Sequence, residues 1–149
     1  MSDSFRHILV TLDGSSLSEV AVPVAIELAR TSHAQLTLLH VVEPDAPATV
    51  HGDRHLQSAA EATDYLADWV DRLAQDGIAA TSIVAVAGER GRVAETIAAR
   101  VSALGCDLIV LASHGEGGIR ELLFGRVAQR IIGLSDGPLI VVPATEEAR

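Results

Sequence analysis

Five short apolar runs punctuate the chain: Ile8 to Leu12, Leu36 to Val42, Ile83 to Ala87, Leu108 to Leu111 and Leu139 to Val142. They are rich in β-branched residues and mostly continuous rather than alternating, which is how strands buried on both faces of a parallel sheet read. Between them the apolar positions return at helical spacing. Val20, Val24 and Leu28 mark a first helix, Ala62, Leu66, Trp69 and Leu73 a second, Val93, Ile97 and Val101 a third, and Val127 with Ile131 a fourth. Strand and helix alternate along the whole chain. The economical architecture is an α/β fold: an open, doubly wound, mostly parallel five-stranded sheet with right-handed crossovers and helices on both faces. Ligands of such sheets bind outside the carboxyl ends of the strands, where the strand order reverses.

Local punctuation refines the boundaries. Ser16 followed by Glu19 reads as a capping box opening the first helix, and Gly105 stands where a glycine cap ends the third. Pro23 predicts a kink or a late helix start, because inside a helix it removes a hydrogen bond. Pro44, Pro47 and Gly52 mark residues 43–57 as a long loop, and loops of that length are often functional.

Composition narrows the function. The 149 residues suffice for one domain, taken as 1–149, with a sizeable core. A net charge of −9 speaks against nucleic acid and against anionic membrane surfaces as partners. All eleven basic residues are arginine. The absence of lysine excludes a P-loop lysine and a Schiff-base lysine. The one cysteine, Cys106, cannot form an internal disulfide and reads as a small residue ahead of a buried strand. No apolar run approaches the roughly 18 residues of a membrane span, so the expected location is the cytoplasm.

The chemistry concentrates between Asp107 and Val142, where a buried strand empties into glycines just before a helix start. Helix starts carry unpaired N–H donors and partial positive charge, so an anion, most simply phosphate, fits there. This stretch resembles the signature of the universal stress protein family, whose nucleotide-binding members carry G-x2-G-x9-G-[ST]. HILVTLDGSS near the start, LTLLHVVEP around position 40 and CDLIV before the loop extend the resemblance nearly end to end.

The resemblance implies an adenine nucleotide alpha hydrolase-like fold with a crevice beside strands one and four. In that crevice Leu12 and Asp13 would meet the adenosine part, and Val41 would offer backbone atoms to adenine. Leu111, Ala112, His114 and Gly115 would approach the phosphates, and N–H groups at Gly125, Arg126 and Val127 would hold them. The ligand implied is ATP, with AMP or ADP as alternatives and magnesium accompanying ATP. A homodimer through Leu139 to Val142 and a regulatory protein partner are implied as well. The role expected is a nucleotide-responsive stress factor rather than an enzyme; the alternative is a member that binds no ATP and acts through protein contacts alone.

Two of the four signature positions depart from the pattern, with Ala112 at the first glycine and Arg126 at the serine or threonine. Alanine costs about 1 kcal/mol where a positive φ is needed. A lost hydroxyl bond to a charged oxygen costs roughly 1.5–3 kcal/mol. Arg126 offsets part of this, since a guanidinium supplies two-pronged donors to phosphate.

Other constellations point elsewhere. Leu111-Ala112-Ser113-His114-Gly115 resembles a nucleophile elbow, which would make Ser113 the nucleophile of a hydrolase with Asp13 nearby. His51, Asp53 and His55 could bind zinc or nickel if their segment were helical, and otherwise are solvated loop residues. Arg90 and Arg92, in the turn from Gly88, could touch phosphate or face solvent. His7 and His40 read as packing or surface residues of their strands.

Overall fold

The computed structural model describes residues 4–43, 49–50, 53–54, 56, 58–88, 92–114 and 125–144. Its main sheet contains β1 (His7–Thr11), β2 (Gln35–Val42), β5 (Ala80–Val86), β6 (Leu108–His114) and β7 (Leu139–Ala144), while β3 (Thr49–Val50) and β4 (Asp53–Arg54) form a small antiparallel pair. The sheet order is β5-β2-β1-β6-β7, and every pairing in it is parallel. The order reverses between β1 and β6, as the sequence predicts for a doubly wound sheet.

Helices cover both faces. Helices α1 (Ala21–Ser32) and α2 (Ala59–Gln75) bury Ala25, Ala29, Leu66 and Leu73 against Ile8, Val10, Leu36 and Leu38. Helices α3 (Val93–Leu104) and α4 (Gly125–Leu134) bury Ala94, Ile97, Ala128 and Ile131 against Leu9, Leu39, Ile109 and Leu111 on the other face. The continuous apolar runs of β1, β2 and β6 follow from this double cover. Arg130 on α4 pairs with Glu95 on α3, tying the second helical layer together.

Three local expectations change. The first helix turns its small residues Ala21, Val22, Ala25 and Ala29 to the sheet, while Val24 and Leu28 are only partly buried and Val20 lies in a preceding 3-10 turn, Ser18–Val20. Its apolar residues run nearly all round the helix, so period alone does not select the face. The Ser16–Glu19 pair does not open that helix as a capping box. Leu17 takes the cap position of the 3-10 turn, the Glu19 N–H donates to the Ser16 carbonyl at 3.2 Å, and the Glu19 carboxylate accepts from Tyr65 Oη at 2.5 Å. Pro23 does delay the helix. It falls in the first turn of α1, where its missing N–H leaves no bond unmade.

The β5 strand starts at Ala80 rather than Ile83, because backbone pairing with Leu36 to Leu38 recruits the polar residues Thr81 and Ser82. Gly105 closes α3 in the left-handed conformation at φ 70, as expected of a glycine cap.

Candidate functional site

The carboxyl end of β1 is built by a serine-rich turn. The Asp13 Oδ1 accepts from the Ser15 N–H at 2.9 Å and from the Ser15 hydroxyl at 2.5 Å. Ser15 Oγ in turn accepts from the Ser18 N–H at 3.1 Å. The Ser18 hydroxyl donates to the Ser15 carbonyl at 2.9 Å and accepts from the Asp13 N–H at 3.3 Å. Ser15 and Ser18 are buried. The side chains thus satisfy backbone groups that leave the sheet at this point, and they hold the Asp13 carboxylate at the strand end.

Two other elements clasp the same turn. The Leu56 N–H, just ahead of α2, donates to the Asp13 carbonyl at 3.1 Å, and its side chain is fully buried. His40 on β2, only 3% exposed, places Nδ1 2.8 Å from the Leu12 carbonyl. It is a buried residue at the strand end, as packing of its strand requires, and it makes a specific bond there.

Strands β1 and β6 part at their carboxyl ends. Their pairing runs from Ile8 with Leu108 to Val10 with Val110 and stops, whereas β6 continues beside β7 to His114 with Ala144. Leu12 and Asp13 therefore follow the end of one strand, and Leu111 to His114 form the end of the other. Leu12, Val41 and Leu111 are buried; Asp13 and Ala112 are partly exposed. Helix α4 begins at Gly125, so Gly125, Arg126 and Val127 form its first turn, and Val127 packs partly against the α3–α4 layer. Gly115 lies outside the described residues, as do the side chains of His114 and Arg126.

The nucleophile-elbow reading of Ser113 does not fit. An elbow exposes its serine on a sharp turn between strand and helix. Ser113 instead lies within β6, paired in register with Pro143 and 3% exposed. In the proposed metal trio, His51 and His55 lie outside the described residues, and of Asp53 only the backbone in β4 is described. Among Glu89 to Arg92 only Arg92, exposed at the start of α3, is described. Cys106 precedes β6 as read from the sequence, and burial, with the neighbouring Asp107 charge, pushes its thiol up to about 11.

Ser15, Ser18, His40 and Leu56 complete the strand end, and the sequence pattern alone does not mark them as site residues. The run Asp13-Gly14-Ser15 carried a signal for the turn, because aspartate commonly bonds backbone two residues on. Nothing local distinguished Leu56, whose bond to Asp13 is distant in the chain.

A parallel sheet with helices on both faces, its strand order reversing between β1 and β6, defines a doubly wound α/β domain. The chain belongs to the universal stress protein family, whose model matches residues 4–143. It is 29% identical over 150 positions to universal stress protein YxiE of Bacillus subtilis (strain 168), covering 93% of this chain and 99% of that protein. Identity to universal stress protein Sll1654 of Synechocystis is 32% over 140 positions, with coverage of 93% and 86%.

Among solved structures, universal stress protein UspA from Lactobacillus plantarum matches with TM-score 0.73 at 22% identity over 95% of this chain and 99% of its own. A universal stress protein in complex with cAMP matches at TM-score 0.69 and 21% identity over 95% and 99% of the two chains. One from Archaeoglobus fulgidus in complex with dAMP matches at 0.64 and 20% over 92% and 97%. No helix among the described residues is long and apolar enough to cross a membrane.

Proposed function

We propose that this universal stress protein binds an adenine nucleotide in the crevice between β1 and β6 and acts as a stress-response factor through dimer and partner contacts. The observation that carries the reading is the parting of β1 from β6 beyond Val10 and Val110, with Asp13 fixed at its edge by Ser15. Two structural neighbours hold adenine mononucleotides, which supports the ligand class.

In this reading Leu12 and Asp13 flank the adenosine, and the Val41 backbone meets the base. Leu111, Ala112, His114 and Gly115 line the approach to the phosphates, and the N–H groups of Gly125, Arg126 and Val127 receive them at the start of α4. ATP is the preferred ligand, with magnesium beside its phosphates; AMP and ADP use the same nucleoside contacts. The whole chain, 1–149, acts as a single domain in the cytoplasm. Two copies pair through Leu139 to Val142, since β7 is a sheet edge of apolar residues. The role proposed is binding rather than turnover.

Ala112 and Arg126, the two departures from the family's nucleotide signature, favour one competing reading: a member that binds no nucleotide and acts through protein contacts alone. A thermal-shift titration with ATP, ADP, AMP and cyclic AMP, with and without magnesium, separates the two, because a ligand that binds only the folded state raises the melting temperature. The proposal expects a magnesium-dependent shift with ATP that shrinks in Arg126→Ala. No shift at millimolar nucleotide contradicts it.

A further inference from the structure

The ladder between β1 and β2 stops half a rung short of where its hydrogen bonds allow. Pairing ends at Thr11 with Leu39, although the Leu12 N–H still donates to the Leu39 carbonyl at 2.9 Å. In a parallel ladder the next bond would run from the Val41 N–H to the Leu12 carbonyl. Had it formed, Leu12 would belong to the strand. Instead the Leu12 oxygen lies 2.8 Å from His40 Nδ1. A carbonyl only accepts, so Nδ1 carries the hydrogen.

We infer that His40 is a positioning residue for the nucleotide base. Its imidazole takes the Leu12 carbonyl, ends the β1–β2 ladder there, and so leaves the Val41 N–H to the ligand. The inference rests on the nucleotide reading above and deepens it: base recognition depends on a side chain that never touches the base. His40 suits this task because it sits on β2 itself, one residue before Val41. Its burial, at 3% exposure, excludes the water that would otherwise compete for the carbonyl. The clasp lies on the β2 side of Leu12, away from β6. The Asp13 carbonyl, one residue on, is held independently by the Leu56 N–H at 3.1 Å. Removing the imidazole therefore affects the Leu12 carbonyl more than the serine turn.

Without that donor nothing turns the Leu12 carbonyl off the ladder, and it swings to accept from Val41, which adds one rung to the sheet and removes one hydrogen bond from the base. Loss of a single neutral hydrogen bond weakens binding by about tenfold at most. The geometry of the donor sharpens the test. Asparagine can set an amide N–H near the place of imidazole Nδ1, whereas glutamine reaches toward Nε2 and leucine offers no donor.

The experiment compares AMP and inorganic tripolyphosphate binding to wild type, His40→Asn, His40→Gln and His40→Leu by calorimetry, with amide exchange at Val41 followed in the ligand-free proteins. The expected result is AMP affinity several-fold to about tenfold weaker in His40→Leu and His40→Gln, near wild type in His40→Asn, and tripolyphosphate affinity unchanged in all. Val41 amide exchange slows in His40→Leu, a readout that general loosening of the core would move the other way. Equal AMP affinity in wild type and His40→Leu overturns the role of His40 while leaving the nucleotide reading intact. Failure of wild type to bind AMP or ATP at all overturns that reading, and this role falls with it.

Discussion

A Cβ at Gly14 would stand 2.7 Å from Leu56 Cγ, and the backbone there has φ +92. The side chain that closes over the end of β1 is packed directly on the one residue type the turn accepts. Gly14→Ala meets two penalties, about 1–2 kcal/mol for the left-handed backbone and about 1–3 kcal/mol for overpacking against Leu56. Denaturant melts are expected to show a loss of roughly 2–5 kcal/mol, the sum of those two contributions. In a Leu56→Ala background the same substitution should cost only the backbone part. Equal costs in both backgrounds would show that the contact contributes nothing.

The alkaline limb of stability is expected to report on two residues. Burial, and then the hydrogen bond to Glu19, raise the Tyr65 phenol above its ordinary value. Burial raises the Cys106 thiol from 9.0 to about 11. In both cases the unfolded chain releases its proton first, so their stabilisation is complete at lower pH and is lost as pH climbs from about 9 for the thiol and about 10 for the phenol. The chain holds one tyrosine, one cysteine and no lysine, which leaves this window uncrowded. Urea melts from neutral to alkaline pH should decline for wild type and flatten stepwise in Cys106→Ala and Tyr65→Phe. An unchanged slope in the double variant would refute the assignment.

The Tyr65 bridge also fastens α2 to the 3-10 turn that precedes α1. Tyr65→Phe is expected to cost about 1–2 kcal/mol at neutral pH, toward the lower part of the range for bonds to a charged acceptor because the pair is only partly buried. Glu19→Gln alone, whose amide oxygen still accepts from the Tyr65 hydroxyl, should cost less than Tyr65→Phe. A loss below a few tenths of a kcal/mol would place the pair among surface contacts without weight.

Pairing of two copies through β7 has its own test. A lysine on an edge strand opposes strand-to-strand association. Sedimentation analysis is expected to find wild type as a dimer and Val141→Lys as a monomer, with circular dichroism checking that the variant stays folded. A wild-type monomer at tens of micromolar, or a folded dimeric variant, would contradict pairing by this edge.

The sheet was legible because β1, β2 and β6 are apolar without interruption over strand-length runs, which only burial on both faces requires. Edge strand β5 was legible only in its later half, since Thr81 and Ser82 join the sheet through backbone pairing with β2 and carry no apolar signal. The face of α1 was hidden for the opposite reason: Ala21, Val22, Ala25 and Ala29 pack on the sheet, and Val24, Ile26 and Leu28 beside them are apolar too. At the strand end, Asp13 stood out as a carboxylate after an apolar run. Ser15 and Ser18 act through a turn three residues wide, and Leu56 arrives from more than forty positions away. Side-chain to backbone bonds of that kind depend on where the chain is already held, and composition does not encode them.

The proposed base and phosphate site spans the ends of β1, β2 and β6 and the start of α4. Its most direct test is an amide chemical-shift titration of the protein with AMP and then ATP plus magnesium. The expected result is saturable shifts at Leu12, Asp13, Val41 and Ala112 with both nucleotides, joined by Gly125, Arg126 and Val127 when the longer phosphate chain is present. Shifts confined to another surface, such as the α1–α2 face around Trp69, or none at millimolar nucleotide, would contradict it.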